Sequence, residues 1–175
     1  RHNVGFDVVE RLADRHGIAV REKRFGARLG KGAVAGEQVV LACPQTWMNC
    51  SGDSVSPMVG YFRLSRGDLV VVHDDLDLPF GVVRVKEGGG HGGHNGLRDL
   101  VAKLGGAEFH RVRIGIGRPE GPMDSADWVL ARWTPEQGRV VPAIVDRAAD
   151  CVEAVLGDGS TEAMNRFNGM EPVES

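Results

Sequence analysis

Four apolar residues in a row, Leu69-Val70-Val71-Val72, run straight into His73-Asp74-Asp75. A short apolar run rich in β-branched residues, with no polar alternation, reads as a strand covered on both faces. Such a strand needs helices above and below it, which constrains the chain toward an α/β fold. The end of such a strand is also where open α/β sheets place their reactive groups. Here that end delivers carboxylates, Asp74 first.

The rest of the pattern agrees. In residues 1–17 Phe6, Val9 and Leu12/Ala13 recur at helical spacing, and Gly17 closes the helix. "GARLGKGAVAGEQVVLACP" reads as two strands joined by a hairpin turn at Ala35-Gly36. Val55, Met58, Val59 and Phe62 suit one helix face, with Pro57 near its start. "GVVRVK" and "FHRVRIGIG" alternate as strands. Between them Leu97, Leu100, Val101 and Leu104 form a helical stripe. "TPEQ" is a capping box with proline at the first helical position, opening a long amphipathic helix through Ile144/Val145, Ala148, Cys151/Val152 and Val155. A short helix near Ser160 to Phe167 precedes a polar tail. The 175 residues suffice for one domain with a sizeable core. The expectation is a single α/β domain over residues 1–168 with a tail at 169–175. Its sheet is expected to be mixed, mostly parallel and twisted, flanked by helices.

"KEGGGHGGHNGLRD" concentrates six glycines around His91, His94 and Asn95. Gly88, Gly90 and Gly93 match G-x-G-x-x-G, and Glu108 lies about twenty residues on. The acid, however, precedes the strand it would have to end, so dinucleotide binding fails. No Gly-Lys-Ser/Thr follows, which excludes a Walker loop, and no G-x-S-x-G exists for a serine hydrolase. His91, His94 and the acids of "HDDLD" offer metal-ligand types, but without helical H-E-x-x-H or EF-hand spacing. There remains a histidine base, a carboxylate that orients it, and carboxamides that donate to an oxyanion without carrying charge. Each has a plain alternative: Asn95 as a helix cap, Asn49 as a turn residue, His2 as a frayed terminal residue.

Charge adds a partner class. Net charge is −3, yet residues 84–118 hold seven basic side chains against three acids. That local +4 suggests a face for an anion. Cys43, Cys50 and Cys151 are odd in number and lack C-x-x-C spacing, which points away from a disulfide framework or zinc site and toward a reducing compartment. No run of eighteen apolar residues or signal-peptide pattern is present.

"RHNVGFDVVERLA", "PQTWMNCSG", "VVHDDLDLPFG", "KEGGGHGGHNGLRDL", "FHRVRIGIGRP" and "AMNRFNG" together resemble the bacterial peptidyl-tRNA hydrolase family, in its order and spacing, from residue 1 to about 168. The resemblance implies hydrolysis of the ester joining a peptide to the terminal ribose of tRNA, in the cytoplasm, by a monomer needing no metal or cofactor. It implies His2 as general base, Asp74 as its orienter, and Asn49 and Asn95 at the ester and its intermediate. It places Trp47 and Met48 along the pocket, His94 in the supporting hydrogen bonds, and Lys86 and Arg113 on the terminal phosphate of the tRNA, helped by Arg84 and Arg98. The family often has phenylalanine or tyrosine where Trp47 stands. Its opening strand and "GLGNPG" loop have no counterpart in these residues, so the sequence reads as a fragment or an incomplete record of such a protein; for a chain consisting of these residues alone, a gap in the sheet, lowered stability and a terminal ammonium beside His2 are expected. Two rivals stand beside this reading: a non-catalytic RNA-binding member of the same fold, and a metal-dependent esterase.

Overall fold

The computed structural model describes residues 1–175 and has the expected single α/β domain. Helix α1 (Val4–His16) leads into β1 (Glu22–Arg24), β2 (Ala27–Val34) and β3 (Glu37–Pro44). A 3-10 turn at Met48–Cys50 opens α2 (Ser51–Tyr61). Next come β4 (Val70–Asp75), β5 (Val83–Glu87), α3 (Asn95–Leu104), β6 (His110–Gly115), α4 (Ser125–Leu130), α5 (Pro135–Asp158) and α6 (Ser160–Phe167).

The strands form two three-stranded sheets, ordered β1-β2-β3 and β4-β6-β5. Only β4 and β6 pair in parallel; the other pairings are antiparallel, so the sheet is not mostly parallel. In the first sheet the reason is connection length: Phe25-Gly26 and Ala35-Gly36, all at positive φ, make two-residue turns that impose antiparallel pairing. In the second sheet the long connection through α3 joins β5 and β6 as an antiparallel pair, and β4, which is not consecutive with β6, pairs with it in parallel.

The second sheet has two unlike faces, set by period-two alternation. Val83, Val85, Val112 and Ile114 are buried in the main core with α1 and α5. Arg84, Lys86, Arg111 and Arg113 alternate with them, and the register sets Arg84 beside Arg113 and Lys86 beside Arg111. His73 sits next to Arg113 across the parallel pair. Four of the seven basic residues of segment 84–118 therefore share one sheet face.

β4 differs from its expected burial. Val70, Val71 and Val72 are only half-buried, because β4 is an edge strand. β3 is the edge of the other sheet. Between them lies a cavity of about 790 Å³, walled by apolar side chains of both strands, α1, α2 and α5. The two sheets are not hydrogen-bonded to each other. Phe6 and Val9 line this cavity, while Val4, Val8 and Leu12 form the fully buried stripe of α1.

Two local details shape the packing around β4 and α2. A Cβ on Gly5 would come within 2.6 Å of the Val72 carbonyl oxygen, so glycine lets α1 lie directly on β4. Pro57 sits inside α2 rather than near its start, because the helix already begins at Ser51 out of the 3-10 turn. The proline removes one interior backbone hydrogen bond there.

Candidate active site

α1 begins two residues after His2, and its contact with β4 brings His2 to the strand's acidic end. The His2 backbone N–H donates to the Val129 carbonyl at 3.0 Å. Arg1 anchors this start: its guanidinium lies 3.8 Å from the Trp128 ring centre, and it donates to the Trp128 carbonyl and to Gln137 Oε1. The Arg1 backbone nitrogen donates to Ala131 O at 3.3 Å. His2 is thus not frayed. No pattern in the sequence signals the Arg1–Trp128 clamp.

Asp74 is 2% exposed and lies between two histidines. Its Oδ2 is 2.8 Å from His2 Nδ1, and its Oδ1 is 3.1 Å from His94 Nε2. The His2 contact is short but bent, since Nδ1 lacks an aligned hydrogen bond. Burial alone would raise the Asp74 pKa, but hydrogen bonding to His2 and His94 wins and holds it well below the usual carboxylate range.

His94 is locked by a second bond. Its Nδ1 accepts from the Leu97 N–H at 3.2 Å, which makes His94 the N-cap of α3. Asn95 is therefore the first helical residue and not the cap. With Nδ1 accepting, the His94 proton sits on Nε2, facing Asp74. The backbone before it explains why glycines abound: Gly88, Gly89, Gly92 and Gly93 all have positive φ, so this segment coils in a left-handed path closed to most side chains.

His2, Met48, Asp74 and His94 share the wall of the large cavity. Asn49 and Asn95 do not line it; they stand on two elements in contact, the 3-10 turn and α3. Asp99 of α3 accepts from the Gly52 N–H at 2.7 Å, tying the Asn49 turn to α3. A Cβ on Gly96 would meet the Met48 sulfur at 2.6 Å, so Met48 covers the residue beside Asn95. Both asparagines are exposed; Asn95 Oδ1 accepts from Arg98 at 3.5 Å, and Asn49 Oδ1 meets only Cys50 Sγ, at 3.6 Å. Trp47 is 84% exposed, the most open large apolar side chain.

Three of the four basic candidates, Arg84, Lys86 and Arg113, lie on the sheet face beside the glycine segment. Lys86 folds over Gly89. Arg84 donates to the Val83 and Met170 carbonyls. Arg113 donates from Nε to Asp75 Oδ2 at 2.8 Å, so part of its charge is already met. Arg98 is exposed on α3.

His2, Asp74 and His94 are also three metal-ligand types within 4.8 Å of one another. Each Asp74 oxygen lies near one imidazole nitrogen, aligned in a hydrogen bond with His94 Nε2 and not aligned with His2 Nδ1.

A family model described as peptidyl-tRNA hydrolase matches residues 1–174. The chain is 48% identical over 169 residues to the peptidyl-tRNA hydrolase of Chloroflexus aurantiacus, covering 96% of this chain and 90% of that one. It is 49% identical over 173 residues to the protein of that name from Roseiflexus castenholzii, covering 98% and 81%. Its fold superposes on the crystal structure of peptidyl-tRNA hydrolase from Acinetobacter baumannii with a TM-score of 0.92 at 39% identity, over 99% of this chain and 88% of that one.

Proposed function

We infer the chemistry of the site from the premise that this chain belongs to the peptidyl-tRNA hydrolase family and hydrolyses peptidyl-tRNA. The observation that carries the mechanism is the shared Asp74 carboxylate. One oxygen is taken by the Nε2–H of His94, so the other is left to His2 Nδ1. A proton on Nδ1 leaves His2 Nε2 with its lone pair, and that nitrogen is the general base.

Nε2 takes a proton from water as the water oxygen bonds to the ester carbonyl carbon. The carbonyl oxygen becomes an oxyanion, met by the side-chain amides of Asn49 and Asn95. Collapse breaks the bond to the terminal ribose oxygen, which leaves with the proton from the His2 imidazolium. Peptide and tRNA separate. General base catalysis contributes about 10²–10⁴-fold, and removing one oxyanion donor costs about 10²–10³-fold. An aminoacyl ester is an activated substrate, so no metal is required.

Trp47 and Met48 hold the acyl side. Lys86 and Arg113, helped by Arg84 and Arg98, hold the terminal phosphate at the acceptor end. Phosphate contacts position a nucleic acid without reading its sequence, which suits an enzyme that accepts many tRNAs. No helix is long and apolar enough to cross a membrane. The protein acts as a cytoplasmic monomer; its three free cysteines fit a reducing compartment.

Deacylation of N-acetyl-aminoacyl-tRNA after exhaustive chelation tests the metal-free chemistry. An unchanged rate is expected. A rate lost on chelation and restored by a divalent metal would overturn it.

A further inference from the structure

Two buried side chains behind the site take no part in the hydrolytic steps. Arg111 is 4% exposed and His73 is 5% exposed. Arg111 Nε donates to His73 Nε2 at 3.2 Å. With Nε2 accepting, His73 carries its proton on Nδ1, which donates to the Asp74 carbonyl at 2.8 Å. The other arm of Arg111 donates from Nη1 to Gly90 O at 2.9 Å and to Gly88 O at 3.3 Å. The His73 and His94 rings meet edge to face, 5.2 Å between centres.

A buried guanidinium with no carboxylate of its own is costly unless its donors are satisfied. Here they are used on two structures at once. One arm holds the backbone of the glycine segment, four residues before His94. The other holds His73, and through it the backbone of Asp74. The glycine segment needs such a tie, because glycine is the residue least able to hold its own conformation.

We propose that Arg111 and His73 are a positioning pair that fixes the glycine wall to the end of β4, and so sets the distance from His94 to Asp74. The proposal rests on His2 as the base. In this role Arg111 and His73 act through His94 and Asp74, not on the water or the ester. Only arginine has the fork to reach two carbonyls and an imidazole from one buried position.

The chain of bonds defines the test. The charged and titratable groups that face it are His2, Asp74, His94 and His73, with Asp75 and Arg113 beside Arg111. When the wall loosens, His94 withdraws from Asp74, and the carboxylate turns wholly toward His2. Imidazolium at His2 is then favoured, so the acid limb of kcat/KM moves to higher pH. Arg111→Met and His94→Ala should each show this movement. Misplacement by about 1 Å costs about 10²-fold, so Arg111→Met should lower kcat by roughly that factor with little change in KM. In a His94→Ala background the same substitution should cost much less, because both changes break one connection. Arg111→Lys keeps the charge and stem but not the fork; it should behave like Arg111→Met, and it carries the test if that variant does not fold. Losses that add fully, with the acid limb unmoved in folded protein, would overturn the proposal. An active His2→Ala would instead remove the base assignment beneath it, so the two failures are distinguishable.

Discussion

His94 spends both ring nitrogens at once: Nδ1 accepts from Leu97 N–H at the start of α3, and Nε2 faces Asp74 Oδ1 at 3.1 Å. A helix cap thereby sets the tautomer of a group in the active site. The cap is worth about 1 kcal/mol, and its loss leaves Asp74 with one partner. His94→Ala is expected to lower the unfolding free energy by about that amount and to reduce kcat as well. Asparagine caps equally well but does not reach Asp74. His94→Asn should therefore restore stability without restoring kcat, read by denaturant titration beside steady-state deacylation.

Asp74 must be charged and must accept from two sides. Asp74→Asn keeps the shape but presents an amide donor to one imidazole, which disturbs the tautomer of His2. A fall in kcat of about 10²-fold or more is expected, within the range of general base catalysis. KM for N-acetyl-aminoacyl-tRNA should hardly change, because Asp74 touches no substrate phosphate. A KM effect with kcat intact would argue against its role as orienter.

Burial pushes the His73 pKa down to about 3, aided by the repulsion a protonated His94 would exert and by Arg111, against the favourable bond to the Asp74 carbonyl. The unfolded chain binds a proton at His73 near pH 6.5, whereas the folded chain does not. Between those values the unfolded state holds more protons, so stability rises with pH and is lost as pH falls from about 6.5 toward 3. His73→Phe should flatten that part of the stability–pH curve in urea titrations at a series of pH values. An equal slope in both proteins would contradict the assignment.

Arg113 meets Asp75, whereas Lys86 folds over a glycine and faces Arg111, not an acid, in the sheet register. Lys86→Ala is expected to raise KM and to reduce the salt dependence of binding by about one phosphate contact. Asp75→Asn releases Arg113 from its ion pair and should lower KM at low salt. Both effects should leave kcat near its original value, as measured across a salt series.

Gly5 allows α1 to touch β4. A Cβ there would fall 2.6 Å from the Val72 carbonyl oxygen, closer than any stable contact. Gly5→Val should push the helix off the strand, lower the melting temperature and carry His2 away from Asp74. Loss of kcat should exceed that of a core substitution with equal thermal effect, such as Val145→Ala on α5, which lies in the core cluster.

Asp74 is legible in the sequence because an apolar strand ends on it, and the Ala35-Gly36 hairpin because its turn chemistry is local. The capping role of His94 is not: Asn95 is also a good cap, and only the path of the glycine segment decides between them. Arg111 and His73 pair through strand register, which the alternation of "HRVR" alone does not supply. Val70 to Val72 read as covered on both faces, yet edge position leaves them half-buried. Pattern fixes which face a residue takes, while sheet order decides how deeply that face is covered.

The role of His2 Nε2 as the base, held by Asp74, is tested most directly by single-turnover hydrolysis of N-acetyl-aminoacyl-tRNA with His2→Ala, at saturating protein and with folding verified. The expected rate is lower by about 10²–10⁴-fold, with binding of the tRNA retained. A His2→Ala protein that cleaves at the original rate would contradict that role.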